Sequence, residues 1–167
     1  MDVKKKPHPL VIQKRGPFGN INRTGAPDSP SALIPHSHPK FHDNIEAGIL
    51  TVVKTAILSG FDTFSSCEGH IYPRKRSSIR HVGVIIEKND TRRWIKAVHR
   101  LNKDHGIHLV LNMPSGSDFS SIQTRPYKKP TALNILIGYP EDSDIEYKTA
   151  ATIALLKSLA MPVTPKR

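Results

Sequence analysis

A single cysteine, Cys67, stands in 167 residues, so an intramolecular disulfide and any Cys-x-x-Cys metal knuckle are excluded. A lone thiol fits a reducing compartment. No apolar run of signal-peptide length follows the basic start MDVKKKPHPLVIQKR. The most apolar stretch, Ala47 to Leu58, is too short to cross a bilayer and is interrupted by Lys54. A cytoplasmic protein with no membrane contact is therefore expected. Internal repeats are absent, and so are the glycine-rich dinucleotide and P-loop fingerprints, which removes support for the common nucleotide folds. Acidic residues are also few: 14 Asp and Glu face 25 Lys and Arg, for a formal charge of +11.

That charge is uneven. Residues 1–23 carry six Lys/Arg against one acid, whereas residues 24–70 carry two against five. Residues 71–105 carry ten against three, a net of +7 just after the cysteine. A clustered basic face points to a polyanionic partner, RNA or another phosphate-bearing ligand. The competing reading is a solvated basic surface. Oligomeric state leaves no signature.

The length suits one domain with its own core. Seven of the 14 prolines fall within residues 1–40, so residues 1–42 read as an extended, basic, Pro-rich arm. Residues 43–162 read as a single α+β domain and residues 163–167 as a short basic tail. Asp43 with Glu46 has capping-box spacing, and Ile45, Ile49, Val53 and Ala56 recur at helical intervals up to Gly60. Strands are expected over 61–67, 81–87, 107–113 and 131–139, with a further edge strand around 121–124. A second helix opens at Asp90 or Thr91, buries Trp94, Ile95, Val98 and Leu101, and ends at Gly106. A third follows a Ser143/Glu146 capping box, turns Ile145, Ile153, Leu156 and Leu159 inward, and stops at Pro162. The order α-β-β-α-β-β-α predicts a two-layer sandwich, helices on a mostly antiparallel sheet, in a ferredoxin-like or related split arrangement.

The segment Ser65-Ser66-Cys67-Glu68-Gly69-His70 concentrates chemistry at a strand-to-loop junction, where a rigid scaffold presents groups to a cleft. Cys67, Glu68 and His70 are candidate catalytic groups: a thiol that a cationic neighbour would activate, and two proton carriers. In a straight strand Cys67 and His70 face opposite ways, so only a turn at Gly69 brings them together. Equally, Cys67 reads as inert core. Ser65, Ser66 and Gly69 are candidate substrate-binding positions. So are Tyr72, suited to stacking on a base, and the basic run of Arg74, Lys75, Arg76 and Arg80. Arg92, Arg93, Lys96, Arg100 and Lys103 decorate the second helix and extend the basic surface.

His36, His38 and His42 have a spacing able to ligate a metal, with Asp43 or His70 completing a set. Histidines in a Pro-rich arm are more often solvated, so the pattern does not favour zinc.

The run Thr63 to Ile71 (TFSSCEGHI), preceded by a helix ending at Gly60, resembles the T-x-S-S-C-x-G-R-I segment of the tRNA wybutosine-synthesis methyltransferases. Here His70 stands in the arginine position. The resemblance implies a related fold, a pocket lined by Ser65, Ser66, Cys67 and Gly69, and S-adenosylmethionine as cofactor. The leading expectation is thus an RNA- or nucleotide-directed enzyme, methyltransferase-like. A nuclease or hydrolase using His70 and Glu68, of toxin or effector type, is the second. A non-catalytic nucleic-acid-binding module is the third.

Overall fold

The computed structural model describes residues 12–13, 21–22, 31–32, 36–37, 39, 41–42, 45–73, 77–114 and 122–161. Three two-residue strands, β1 (Ile12–Gln13), β2 (Ile21–Asn22) and β3 (Ser31–Ala32), pair antiparallel with β3 between the other two. Most of the expected arm lies outside the described residues, as do the tail, His38, Asp43 and the basic run Arg74, Lys75 and Arg76.

Three helices and four longer strands make up the α+β body. They follow one another as α1 (Ala47–Leu58), β4 (Asp62–Cys67), β5 (Arg80–Glu87), α2 (Thr91–His105), β6 (Val110–Asn112), β7 (Pro130–Gly138) and α3 (Ile145–Ser158). The sheet order is β4-β5-β7-β6, and every neighbouring pair is antiparallel. Because β7 runs against both β5 and β6, those two strands share a direction. With α2 connecting them they form a split βαβ unit, the expected arrangement.

Alternation along β5 separates the two faces of the sheet. Val82, Val84 and Ile86 join Leu133, Ile135 and Ile137 of β7 beneath the helices. Ile49, Val53 and Ala56 of α1 and Leu155 and Leu156 of α3 cover them. Trp94 of α2 meets Phe61 edge to face, with ring centroids 5.3 Å apart. Ile95, expected on the same stripe, is 51% exposed: one residue along a helix is a 100° rotation, which carries it past the edge of the apolar face. On the opposite face Phe64, Ile85, Ile122 and Ala132 form a smaller core, with Tyr127 packed against it.

Other departures from the sequence pattern have local causes. The expected third strand shortens to Val110–Asn112. Upstream of it the Asn102 side chain takes the place of a ladder partner, donating to the Leu109 carbonyl and accepting its N–H, both at 2.9 Å. Ile122–Thr124 form no strand, since Thr124 is bonded to Asp62 instead. In the first turn of α3, Lys148 reaches back to Asp142 (3.0 Å) and Asp144 (3.2 Å) while Glu146 reaches Arg80, and no Ser143/Glu146 box forms.

Gly83 fills a position where any side chain would collide. A Cβ there would lie 2.6 Å from the Phe64 ring and 2.7 Å from Asn134 Oδ1. Replacing Gly83 with Ala overpacks this crossing and lowers stability by about 1–3 kcal/mol. A lower urea midpoint with an unchanged m-value is the expected reading.

Candidate functional site at the end of β4

Two backbone irregularities shape the Ser65–His70 junction. The first is a bulge at Phe64: Thr63 pairs with Val84, but Ser65 pairs with Gly83 and Cys67 with His81. An unbroken ladder would have set Cys67 opposite Arg80, so the extra residue shifts the strand's end by one position. The second is Gly69, whose φ of +85° lies in the region glycine alone adopts freely. An added Cβ would also meet Ser78 O at 3.1 Å and Arg80 N at 3.2 Å. This turn folds His70 back towards Cys67.

The result is a cluster that draws in a residue from before α1. One ligating atom each from Glu46, Cys67 and His70 lies within 4.8 Å of the others. His70 Nε2 is 2.5 Å from Glu46 Oε2, and the two side chains are 26% and 17% exposed. The second oxygen of Glu46 accepts the Glu68 N–H at 3.2 Å. His70 donates its backbone N–H to Ser78 Oγ at 2.8 Å. Ser78 Oγ also lies 3.8 Å from Cys67 Sγ, a contact in which either group can donate, and Gly69 N–H donates to the same sulfur at 3.3 Å. Burial pushes the Cys67 thiol above its ordinary pKa, against the Gly69 N–H, which favours the thiolate. Cys67 is therefore protonated at neutral pH and is a poor nucleophile as it stands.

Glu68 has a different occupation. Its carboxylate accepts the Gly48 N–H at 2.7 Å and so caps the start of α1 from outside the helix. Gly48 makes this approach possible, because a Cβ there would sit 2.6 Å from Glu68 Oε2.

Of the remaining expected residues, Tyr72 lies near the His70 ring, 6.0 Å between centroids and tilted by 37°. Arg80 is turned inwards: its side chain binds the Glu68 carbonyl (2.7 Å), Thr149 Oγ1 (3.1 Å) and Glu146 (3.2 Å). Ser65 is buried and lies 2.8 Å from His81 Nε2, while His81 Nδ1 is 3.1 Å from the Ile79 carbonyl. One tautomer satisfies both contacts, with Nδ1–H donating to Ile79 and the Ser65 hydroxyl donating to Nε2. Ser66, opposite Val82, is half-buried. His36 is remote from the cluster, in contact with Asp62 (3.3 Å) and Thr124 Oγ1 (3.0 Å), and His42 is exposed against Phe41. Among the described residues, His36 and His42 join no ligand group, and Glu46, Cys67 and His70 form one; His38 lies outside them.

Glu46 is the site residue that sequence reasoning missed. It was assigned to a capping box, and nothing local marks a carboxylate 21 positions before Cys67 as its neighbour. The Cys67-x-x-His70 spacing was the legible signal, since two intervening residues suffice for a chelating turn. Asp62 was missed as well: it is buried and accepts bonds from Thr124 N–H (3.0 Å), Thr124 Oγ1 (2.6 Å) and Tyr127 OH (2.8 Å). Burial and the Asp62 carboxylate raise the Tyr127 pKa, so the phenol remains a donor. This second cluster is fully engaged in holding the loop before β7. Comparison with family models, with curated proteins and with solved structures finds no match to the chain.

Two predictions follow from these contacts. Replacing Glu68 with Ala strips the cap from α1 and lowers stability by about 0.5–2 kcal/mol in urea titration. The second concerns His81, whose pKa burial depresses. Its contribution is complete above the unfolded-state pKa and is lost as pH falls, because the unfolded chain then takes up a proton that the folded chain refuses. The slope is at most about 1.4 kcal/mol per pH unit. His81→Gln therefore flattens the decline in stability between about pH 7 and pH 5 relative to the parent, as measured by urea unfolding across that range.

Proposed function

We propose that the chain is an RNA- or nucleotide-directed enzyme whose reacting centre is the cluster of Glu46, Cys67 and His70. The observation that carries this reading is the meeting of an imidazole and a carboxylate, both partly exposed, beside a thiol at a strand end. Imidazole and carboxylate together serve proton transfer to a phosphate ester or its attacking nucleophile. Hydrolysis accounts for these groups better than methyl transfer does. The Ser65 hydroxyl, which a methyltransferase-like pocket would have used, is committed to buried His81.

The anionic partner is supported by α2. Its outer side carries Arg92, Arg93, Lys96, Arg100 and Lys103 against a single acid, Asp104. Arg93, Lys96 and Arg100 line a groove of about 500 Å³ between α2 and α3. Phosphate oxygens are the natural occupants of such a surface.

Short single-stranded RNA oligomers test both parts. Replacing His70 with Ala, or Glu46 with Gln, lowers turnover at least about a hundredfold while RNA affinity stays nearly unchanged. Replacing Arg93, Lys96 and Arg100 together with Ala weakens binding. It also flattens the dependence of log K on log salt by about 2, since each single-strand phosphate contact contributes roughly 0.7. Turnover of neither RNA nor nucleotides by the parent protein would discard the reading.

A further inference from the structure

We propose that Glu46, Cys67 and His70 hold a zinc-class divalent cation, with the fourth position open to solvent. The proposal rests on the placement of the reacting centre given above, but not on RNA as substrate.

The donor set argues for this class of ion. A thiolate selects against magnesium and calcium, which take oxygen ligands, and imidazole with one carboxylate suits zinc. Thiolate and carboxylate together carry two negative charges, which match a divalent cation. Among the described residues, Arg80 spends its guanidinium on Glu146, Thr149 and the Glu68 carbonyl rather than on the three donors.

The geometry is that of a chelate built on one turn and closed by a distant residue. Cys67 and His70 are joined through the Gly69 turn, and Glu46 arrives from the segment before α1. Zinc–ligand bond lengths of about 2.0–2.3 Å in a tetrahedron put neighbouring donor atoms roughly 3.3–3.6 Å apart. His70 Nε2 and Glu46 Oε2, at 2.5 Å, stand closer than that value, and all three donor atoms lie within 4.8 Å of one another. Without the ion, the imidazole and carboxylate bond each other. Admitting the ion asks them to part by about an ångström.

Around the three donors stand groups that orient them. Glu46 is held by the Glu68 N–H through the oxygen that His70 does not use. Cys67 Sγ accepts the Gly69 N–H and contacts the Ser78 hydroxyl, which can donate to it once the thiol has lost its proton. Donors aimed at a cysteine sulfur stabilise the thiolate that a metal requires, and such outer partners govern affinity nearly as strongly as the ligands. Binding releases the thiol proton to solvent, with no change of oxidation state. Three protein ligands with one open position is the pattern of a catalytic zinc rather than a structural one. With the ion bound, His70 and Glu46 would serve as its ligands; without it, they are the proton carriers of the reading above.

Cobalt titration of the full chain, stripped of metal by chelator, tests the proposal without RNA present. Co²⁺ is expected to bind in an equimolar amount and to produce a thiolate-to-cobalt charge-transfer band, which Zn²⁺ abolishes by displacement. Cys67→Ser removes the band. Ser78→Ala, distant from the ion but facing the sulfur, keeps it and weakens binding about 10–100-fold. Absence of the band in the parent protein at saturating cobalt, or its survival in Cys67→Ser, overturns the assignment. The parent titration decides the matter even if a variant folds poorly. It stands apart from the RNA assay: a band without RNA turnover defeats the functional reading alone, and turnover without a band defeats the metal alone.

Discussion

The bond from Gly48 N–H to the Glu68 carboxylate fixes the relation between helix α1 and strand β4, and the site exists because of it. A helix start leaves backbone donors without partners, and an acid placed there satisfies one of them while favouring the positive end of the helix dipole. Supplying that acid from the residue just past the strand rather than from the one before the helix ties two segments 20 positions apart. Glu46 stands at the junction and is carried into reach of His70. The same residue then receives the Glu68 backbone N–H, so the contact is reciprocal across the gap.

The fold was legible because its signals were strongly periodic. Apolar residues recurring on α1, α2 and α3 and the β-branched runs of β5 and β7 each specify one element, and their alternation along the chain specifies the layers. Boundaries were less legible where side chains replaced backbone partners. Asn102 shortens the third strand by imitating a ladder, and Lys148 with two aspartates displaces a capping box. Neither exchange leaves a trace in a pattern of apolar and polar positions.

The site was legible in its local half only. Six consecutive residues with thiol, carboxylate, imidazole and glycine marked the place, and the requirement for a turn at Gly69 followed from strand geometry. The long-range half depends on pairing. Whether Glu68 serves as a proton carrier or a helix cap is decided by what lies opposite it, and Arg80 looks like a phosphate ligand until Glu146 and Thr149 are seen to occupy its guanidinium. Ser65 likewise turns from a pocket wall into the partner of His81 through the displaced register of β4.

The far end of β4 has a consequence of its own. Asp62 gathers Thr124 and Tyr127 and Glu87 accepts the N–H groups of Lys128 and Lys129, so two carboxylates pin the segment before β7, while Ile122 and Tyr127 lie over the face of the sheet opposite the three helices. The two faces of the sheet are thus closed by different means, one by the apolar stripes of three helices and the other by a loop fastened through acidic side chains.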